Sequence, residues 1–142
     1  MEFQQFEQGY VIRLQKGEAV TRSLHDFFRK QQISAAILWA IGALEKVRLG
    51  YFDRQQKQYL EKEFPGVYEL VSFTGNVSRV DGEPFLHAHA ILGDPNYATF
   101  GGHFFEGTVA VTMEVVLFTL PSIIQRKLDE ETGLKLWHLT GK

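Results

Sequence analysis

The stretch Phe85-Leu86-His87-Ala88-His89-Ala90-Ile91-Leu92, followed by Gly93-Asp94-Pro95 and then Gly101-Gly102-His103-Phe104-Phe105-Glu106-Gly107, decides how the rest of the chain is read. Its first eight residues have the composition of a strand, so alternate side chains leave opposite faces. Phe85, His87, His89 and Ile91 share one face; Leu86, Ala88, Ala90 and Leu92 share the other. Neither face carries a charge, which predicts a central strand covered on both sides, with the alanines letting a helix approach. Asp81-Gly82 just before it is a hairpin signal. After the Asp94-Pro95-Asn96 turn, Thr99 to Glu106 reads as a short strand or connector. The glycine pair before His103 leaves the backbone free to pack closely or to turn sharply. Three of the five histidines are thereby sent towards one place.

On a strand, Cα atoms two residues apart are separated by about 6.5–7 Å. Imidazoles leaning together across that gap reach a shared ion at Zn–N distances of about 2.0–2.1 Å. His87, His89 and His103 are therefore the candidate metal ligands. Neutral nitrogen donors without thiolates favour Zn²⁺, with Ni²⁺, Cu²⁺ or Fe²⁺ chemically reasonable. Three protein ligands leave a fourth position open to water or substrate. Glu106, three residues after His103, is a candidate outer partner of a ligand or base on that water. The competing reading has His87 and His89 as core histidines hydrogen-bonded to backbone or to Glu106, with His103 incidental.

Outward from this stretch, periodicity predicts mostly strands. Tyr10 to Leu14 alternates, with Tyr10, Ile12 and Leu14 on one side. From Glu18 the period changes to helical: Val20, Leu24, Phe27, Phe28 and Gln31 form one stripe, Glu18 lies in the expected first turn, and Arg29 and Lys30 lie in the last. His25 falls off the stripe and is expected to be solvated. Ile33 to Ala40 reads as a covered strand with a bulge or kink at Gly42. Val47 to Phe52 alternates, Asp53 to Lys57 is a turn, and Gln58 to Phe64 is a strand expected to stop at Pro65-Gly66. From Tyr68 to Val80, Tyr68, Leu70, Ser72, Thr74 and Asn76 are assigned one face, and Glu69, Val71, Phe73, Gly75 and Val77 the other. Thr108 to Leu120 is a long strand with Val109, Val111, Met113, Val115 and Leu117 on one face, stopped by Pro121. A short strand near Ile123 to Leu128 and a loosely packed end complete the reading, with His138 at the surface. The expectation is an α+β fold: a mixed or antiparallel sheet with one main helix packed on a face, in a single compact domain over residues 1–142.

Composition bounds the function. At 142 residues one domain is expected, and 44% hydrophobic and 23% charged residues are ordinary for a soluble globular protein. Twelve phenylalanines point to an aromatic core. The absence of cysteine excludes disulfides, thiolate zinc sites and cysteine nucleophiles. The formal charge of −2 weighs against unaided DNA binding. No secretory signal or membrane-length apolar run is visible, so a cytoplasmic protein without a membrane partner is expected. No serine has a nucleophile-elbow context, and no phosphate-loop or dinucleotide fingerprint is present.

Ala43-Leu44, Leu49-Gly50-Tyr51-Phe52, Glu69-Leu70 to Thr74-Gly75-Asn76, His87-Ala88-His89 and Gly101-Gly102-His103 to Glu106-Gly107 occur in the order of one known family. The chain resembles prokaryotic members of the plants and prokaryotes conserved (PPC) domain family, from about Tyr10 to beyond Leu120. That resemblance implies an antiparallel sheet with a packed helix, assembly as a homotrimer, and a metal, taken to be zinc, on the residues matching His87, His89 and His103. Plant relatives join the domain to AT-hooks that contact DNA, while the domain itself mediates association. The Arg-Gly-Arg core of an AT-hook does not occur in this sequence. Two functions follow as expectations: a homotrimeric metal-binding domain with a DNA-linked, regulatory or interaction role, or a metal-dependent hydrolytic enzyme using the open coordination position.

Overall fold

The computed structural model describes residues 1–141. The described elements, in chain order, are β1 (Glu2–Phe6), β2 (Gly9–Gln15), α1 (Val20–Lys30), β3 (Ala36–Asp53), β4 (Gln58–Val80), β5 (Glu83–Gly93), β6 (Thr99–Thr119), β7 (Gln125–Leu128) and β8 (Lys135–His138). The sheet runs β1-β2-β6-β3-β4-β7-β8, and β5 pairs with both β4 and β6. The strands β3, β4, β5 and β6 therefore close in a ring of antiparallel pairs. One parallel contact, Arg79 opposite Gln125, makes the sheet mixed.

Three strands are longer than their sequence pattern predicts. Pro65-Gly66 does not stop β4; the ladder jumps from Glu45↔Val67 to Val47↔Phe64 across it. Proline lacks the N–H a ladder needs, and a bulge is where that lack costs nothing. Lys46 opposite takes a left-handed backbone, φ 52°. Likewise β6 runs unbroken from Thr99 through Gly107, so the expected connector and long strand are one element. β3 runs on through Gly42 to Asp53, with register shifts on both sides of Gly42 as the sequence predicts. A Cβ at Gly42 would lie 2.1 Å from the Thr112 carbonyl oxygen, so the close approach of β3 to β6 requires glycine here.

Bulges also correct two face assignments. The register shift between Leu70 and Ser72 breaks the alternation of β4, so Leu70 and Phe73 are both buried while Val71 is exposed. In β6 the shift between Gly42 and Leu44 lets three residues oppose one. Val111 is consequently exposed, although Val109, Met113, Val115 and Leu117 are buried. One extra residue, as in β4, reverses the face of everything beyond it; the two extra residues in β6 turn out only Val111 and leave Val109 and Met113 on one face.

The helix packs on one sheet face as its stripe predicts, burying Val20, Leu24, Phe27 and Phe28 in one core cluster with Leu14, Leu38, Leu44, Phe73, Leu92, Met113 and Leu117. Each such burial contributes about 1.5–3 kcal/mol. On β5 the core side is Leu86, Ala88, Ala90 and Leu92; the histidine face is not covered, for His89 and Ile91 are exposed. Asp81-Gly82 forms the expected hairpin with both residues at positive φ, 52° and 88°. The strand β7 lies within the predicted range, β8 is exposed along its length, and β1 had no distinguishing pattern. Among the described residues no helix is long and apolar enough to cross a membrane.

Candidate metal centre

The ring of strands is what joins the histidines. His87 and His89 leave one face of β5, and the β5–β6 register sets His103 directly opposite His89. Their ring centroids form a nearly equilateral triangle: 5.4 Å for His87–His89, 5.2 Å for His87–His103 and 5.5 Å for His89–His103. Each ring offers a nitrogen, and these nitrogens all lie within 4.8 Å of one another. A tetrahedral ion with Zn–N bonds of about 2.0–2.1 Å spaces its ligands about 3.3 Å apart, so ring rotations of ångström scale close the set. The donor chemistry fits a borderline divalent ion, and His87 and His103 are half-buried while His89 is exposed.

The glycine pair earns its place here. A Cβ at Gly101 would sit 2.5 Å from the Ala90 carbonyl oxygen, and one at Gly102 would sit 2.7 Å from the Gly50 carbonyl oxygen. Glycine at both positions lets β6 approach β5 on one side and β3 on the other, at the residue before His103.

Two residues complete the surroundings. The Tyr59 hydroxyl, on β4, lies 3.5 Å from His103 Nδ1, and its ring sits 4.7 Å from the His103 ring. Arg126, on β7, brings Nη2 to 3.3 Å from His87 Nδ1. It also donates from Nε to Ser78 Oγ at 2.7 Å, from Nη2 to Asn76 Oδ1 at 3.1 Å and from Nη1 to the Lys135 carbonyl at 2.8 Å. Burial, then the charge of Arg126 and the neighbouring His89, hold the His87 imidazole down at about 4. Burial, then His87, His89 and Arg126, do the same for His103, also at about 4. Both rings are therefore neutral near pH 7, the form that binds a metal. Neither Tyr59 nor Arg126 carries a local sequence signal, because β4 and β7 reach the site only through tertiary pairing.

A cavity of about 400 Å³ opens beside His87 and His103, bounded by α1, β4, β5, β6, β7 and the segment leading into β8. Its lining includes Arg126 and Lys135 and no carboxylate.

Three sequence expectations are corrected. Glu106 does not serve the histidines: its carboxylate accepts from the backbone N–H of Thr21 at 2.8 Å and of Arg22 at 3.4 Å, at the start of α1. The helix needs it, since the residue before the first turn is Ala19, which has no capping side chain. Glu18, expected in the first turn, lies before the helix and binds the N-terminal amine and the Gln15 N–H. His25 is not solvated; it is half-buried, lines the cavity, and its Nε2 accepts from the Leu86 N–H at 3.3 Å. Burial, followed by Arg29, lowers its pKa. His138 is exposed, as expected.

The family model described as the Plants and Prokaryotes Conserved (PCC) domain matches residues 1–121. Among solved structures, a plant- and prokaryote-conserved protein of Pyrococcus horikoshii is 37% identical, with a TM-score of 0.88 over 99% of this chain and 97% of its own. A protein of Archaeoglobus fulgidus described as metal-containing is 36% identical, with a TM-score of 0.86 over 98% of this chain and 100% of its own. A protein of Ralstonia eutropha, whose name proposes DNA binding, is 25% identical with a TM-score of 0.88 over 96% and 95%. No curated protein matches the sequence.

Proposed function

The chain belongs to the Plants and Prokaryotes Conserved domain family, and from that premise we propose that it is a single-domain homotrimer holding a zinc ion on His87, His89 and His103, with a regulatory or interaction role. The observation that carries this reading is the convergence of the three imidazoles, all with a ligand nitrogen within 4.8 Å of the others. The metal-containing description of the Archaeoglobus relative supports it. A divalent ion on three neutral imidazoles supplies a Lewis-acidic position open to water or a ligand. The chain's own part is to keep His87 and His103 unprotonated by burial and to hold His103 against Tyr59.

The trimer has support in an unpartnered apolar sheet face. Val11, Val116 and Trp39 are adjacent by register, and with Ile41 they are all exposed. Apolar patches of this kind mark association surfaces. Direct DNA binding rests on the Ralstonia relative's name and has the −2 charge against it. The hydrolytic alternative has the adjoining cavity in its favour, but its candidate base, Glu106, is engaged at α1.

Metal analysis of untagged protein, combined with light scattering, tests the proposal. One zinc per chain and a trimer mass are expected, with zinc lost from the His87→Ala/His89→Ala double variant. Absence of metal, or full retention in the double variant, overturns the site; a monomer mass overturns the assembly. A gel shift on duplex DNA at low salt decides the DNA-linked form of the role, with no shift expected from this chain.

A further inference from the structure

We infer that the cavity beside the three histidines binds a small organic carboxylate, with Arg126 as the residue that recognises the carboxylate group; the inference builds on the metal-centre reading but does not depend wholly on it.

The first observation is a charge without a counterpart. Arg126 is half-buried, and every acceptor around its guanidinium is neutral: the Ser78 hydroxyl, the Asn76 amide, the Lys135 carbonyl and the His87 ring. The faces of Phe85, 5.1 Å away, and Trp137, 5.9 Å away, also lie against it, and the neutral phenol of Tyr59 is close enough to feel its charge. Among the described residues no ion pair includes it. Holding a cation partly out of water without a carboxylate carries a desolvation cost that an anionic ligand offsets. The cavity repeats the imbalance, for its lining holds Arg126 and Lys135 and no acid. Lys135 is already paired with Asp81 at 2.8 Å, which leaves Arg126 as the cation in want of a partner.

The second observation is a conflict over one nitrogen. A guanidinium only donates, so Nη2 at 3.3 Å from His87 Nδ1 requires that Nδ1 be unprotonated and present its lone pair to the arginine. His87 cannot keep that contact and also serve as a metal ligand. If Nδ1 takes the metal, its lone pair is spent; if Nε2 takes it, the ring proton moves to Nδ1 and faces the guanidinium N–H. In either case the Arg126 N–H that faces His87 loses its acceptor, and both residues line the cavity. A carboxylate is the acceptor that matches a guanidinium in charge and shape. Three neutral histidines and an arginine also leave the positive charge of a divalent ion uncompensated by any protein group, which favours an anion between them.

The third observation concerns the rest of the ligand. Phe85, Phe104, Leu134 and Leu136 line the same cavity, whose volume of about 400 Å³ falls in the range of small-molecule sites, roughly 300–1,000 Å³. Apolar walls around one cationic residue suit a molecule with a hydrocarbon body and one carboxylate in preference to an inorganic anion. Without a ligand, Arg126 would be only a clip joining β7 and β8 to β4, and the test separates the two roles.

Calorimetric titration of the zinc-loaded protein with benzoate, benzamide and inorganic phosphate is the experiment, with zinc content measured on each sample. Benzoate is expected to bind saturably, and the isosteric neutral benzamide and phosphate about tenfold or more weaker. Arg126→Met is expected to lose benzoate by a similar factor while keeping its zinc, and Arg126→Lys to recover part of the loss. Equal affinity for benzoate and benzamide, tighter binding of phosphate, no binding of benzoate, or unaltered binding in zinc-retaining Arg126→Met would each overturn the inference. Should Arg126→Met fail to fold, the benzoate–benzamide comparison in the unaltered protein still decides. Benzoate binding to protein without zinc, lost in Arg126→Met, upholds the carboxylate site even where the metal reading fails.

Discussion

At Glu106 one carboxylate accepts from three backbone N–H groups, those of Thr21, Arg22 and Gly107. It thereby anchors the first turn of α1 to β6, the strand that carries His103, and a second bond from the Thr21 hydroxyl to the Phe105 carbonyl at 2.7 Å reinforces the junction. Negative charge at a helix N-terminus also complements the helix dipole. Glu106→Ala is expected to lower stability by about 1 kcal/mol in urea unfolding, the usual effect of removing an N-cap. Its zinc content should be unchanged. Loss of zinc without loss of stability would instead return Glu106 to the metal site.

At the scale of elements, the decisive contact is the three-way approach of β5, β6 and β3 around Gly101-Gly102. A methyl group at Gly102 would meet the Gly50 carbonyl oxygen, a backbone atom unable to swing aside. Gly102→Ala is expected to destabilise by about 1–3 kcal/mol, as forced overpacking does. Because His103 follows directly, the same variant should hold zinc more weakly, measurable by competition with a chelator. Stability and zinc affinity both equal to those of the unaltered protein would show that β6 can shift without disturbing the site. The hairpin at Asp81-Gly82 and the parallel contact of β7 with β4 do comparable work from the other side, carrying Arg126 to His87.

The whole molecule should respond to acid through its half-buried imidazoles, His25 in the same direction as His87 and His103, and most strongly through the last two. His87 and His103 titrate at about 4 in the folded chain, against about 6.5 when unfolded. Between those values the unfolded chain binds more protons, so stability is fully present above about pH 6.5 and is lost as pH falls towards 4. Bound metal competes with the same protons, so its release should follow in the acid direction. Thermal unfolding of metal-free protein from pH 7 to 4 checks the sign. A melting temperature that rises over this window, or a slope unchanged in a His87→Gln/His103→Gln variant, would refute it.

How much of this was legible along the chain depended on the range of the interactions involved. Local patterns carried the strand of His87 and His89, the helical stripe of Val20 to Phe28, the turn at Asp81-Gly82 and the irregularity at Gly42, because periodicity and backbone freedom act between near neighbours. The histidine trio was legible for a related reason: two members share a strand face, and the third follows a glycine pair that leaves the backbone free to pack closely or to turn sharply. The bulges that bury Leu70 beside Phe73, expose Val111 and carry β4 past Pro65 were not legible, since each depends on how many residues the facing strand supplies. Glu106 was misassigned because three residues along a strand say nothing about which helix start lies beyond it. His25 was misassigned because the N–H it accepts from belongs to Leu86, 61 positions away. The sequence by itself determined α1, the strand character of β2 to β5 and of β7, the core stripe and the three metal-ligand candidates. Only the closure of β3, β4, β5 and β6 into a ring decided that these candidates meet, and that Arg126, rather than an acid, stands beside them.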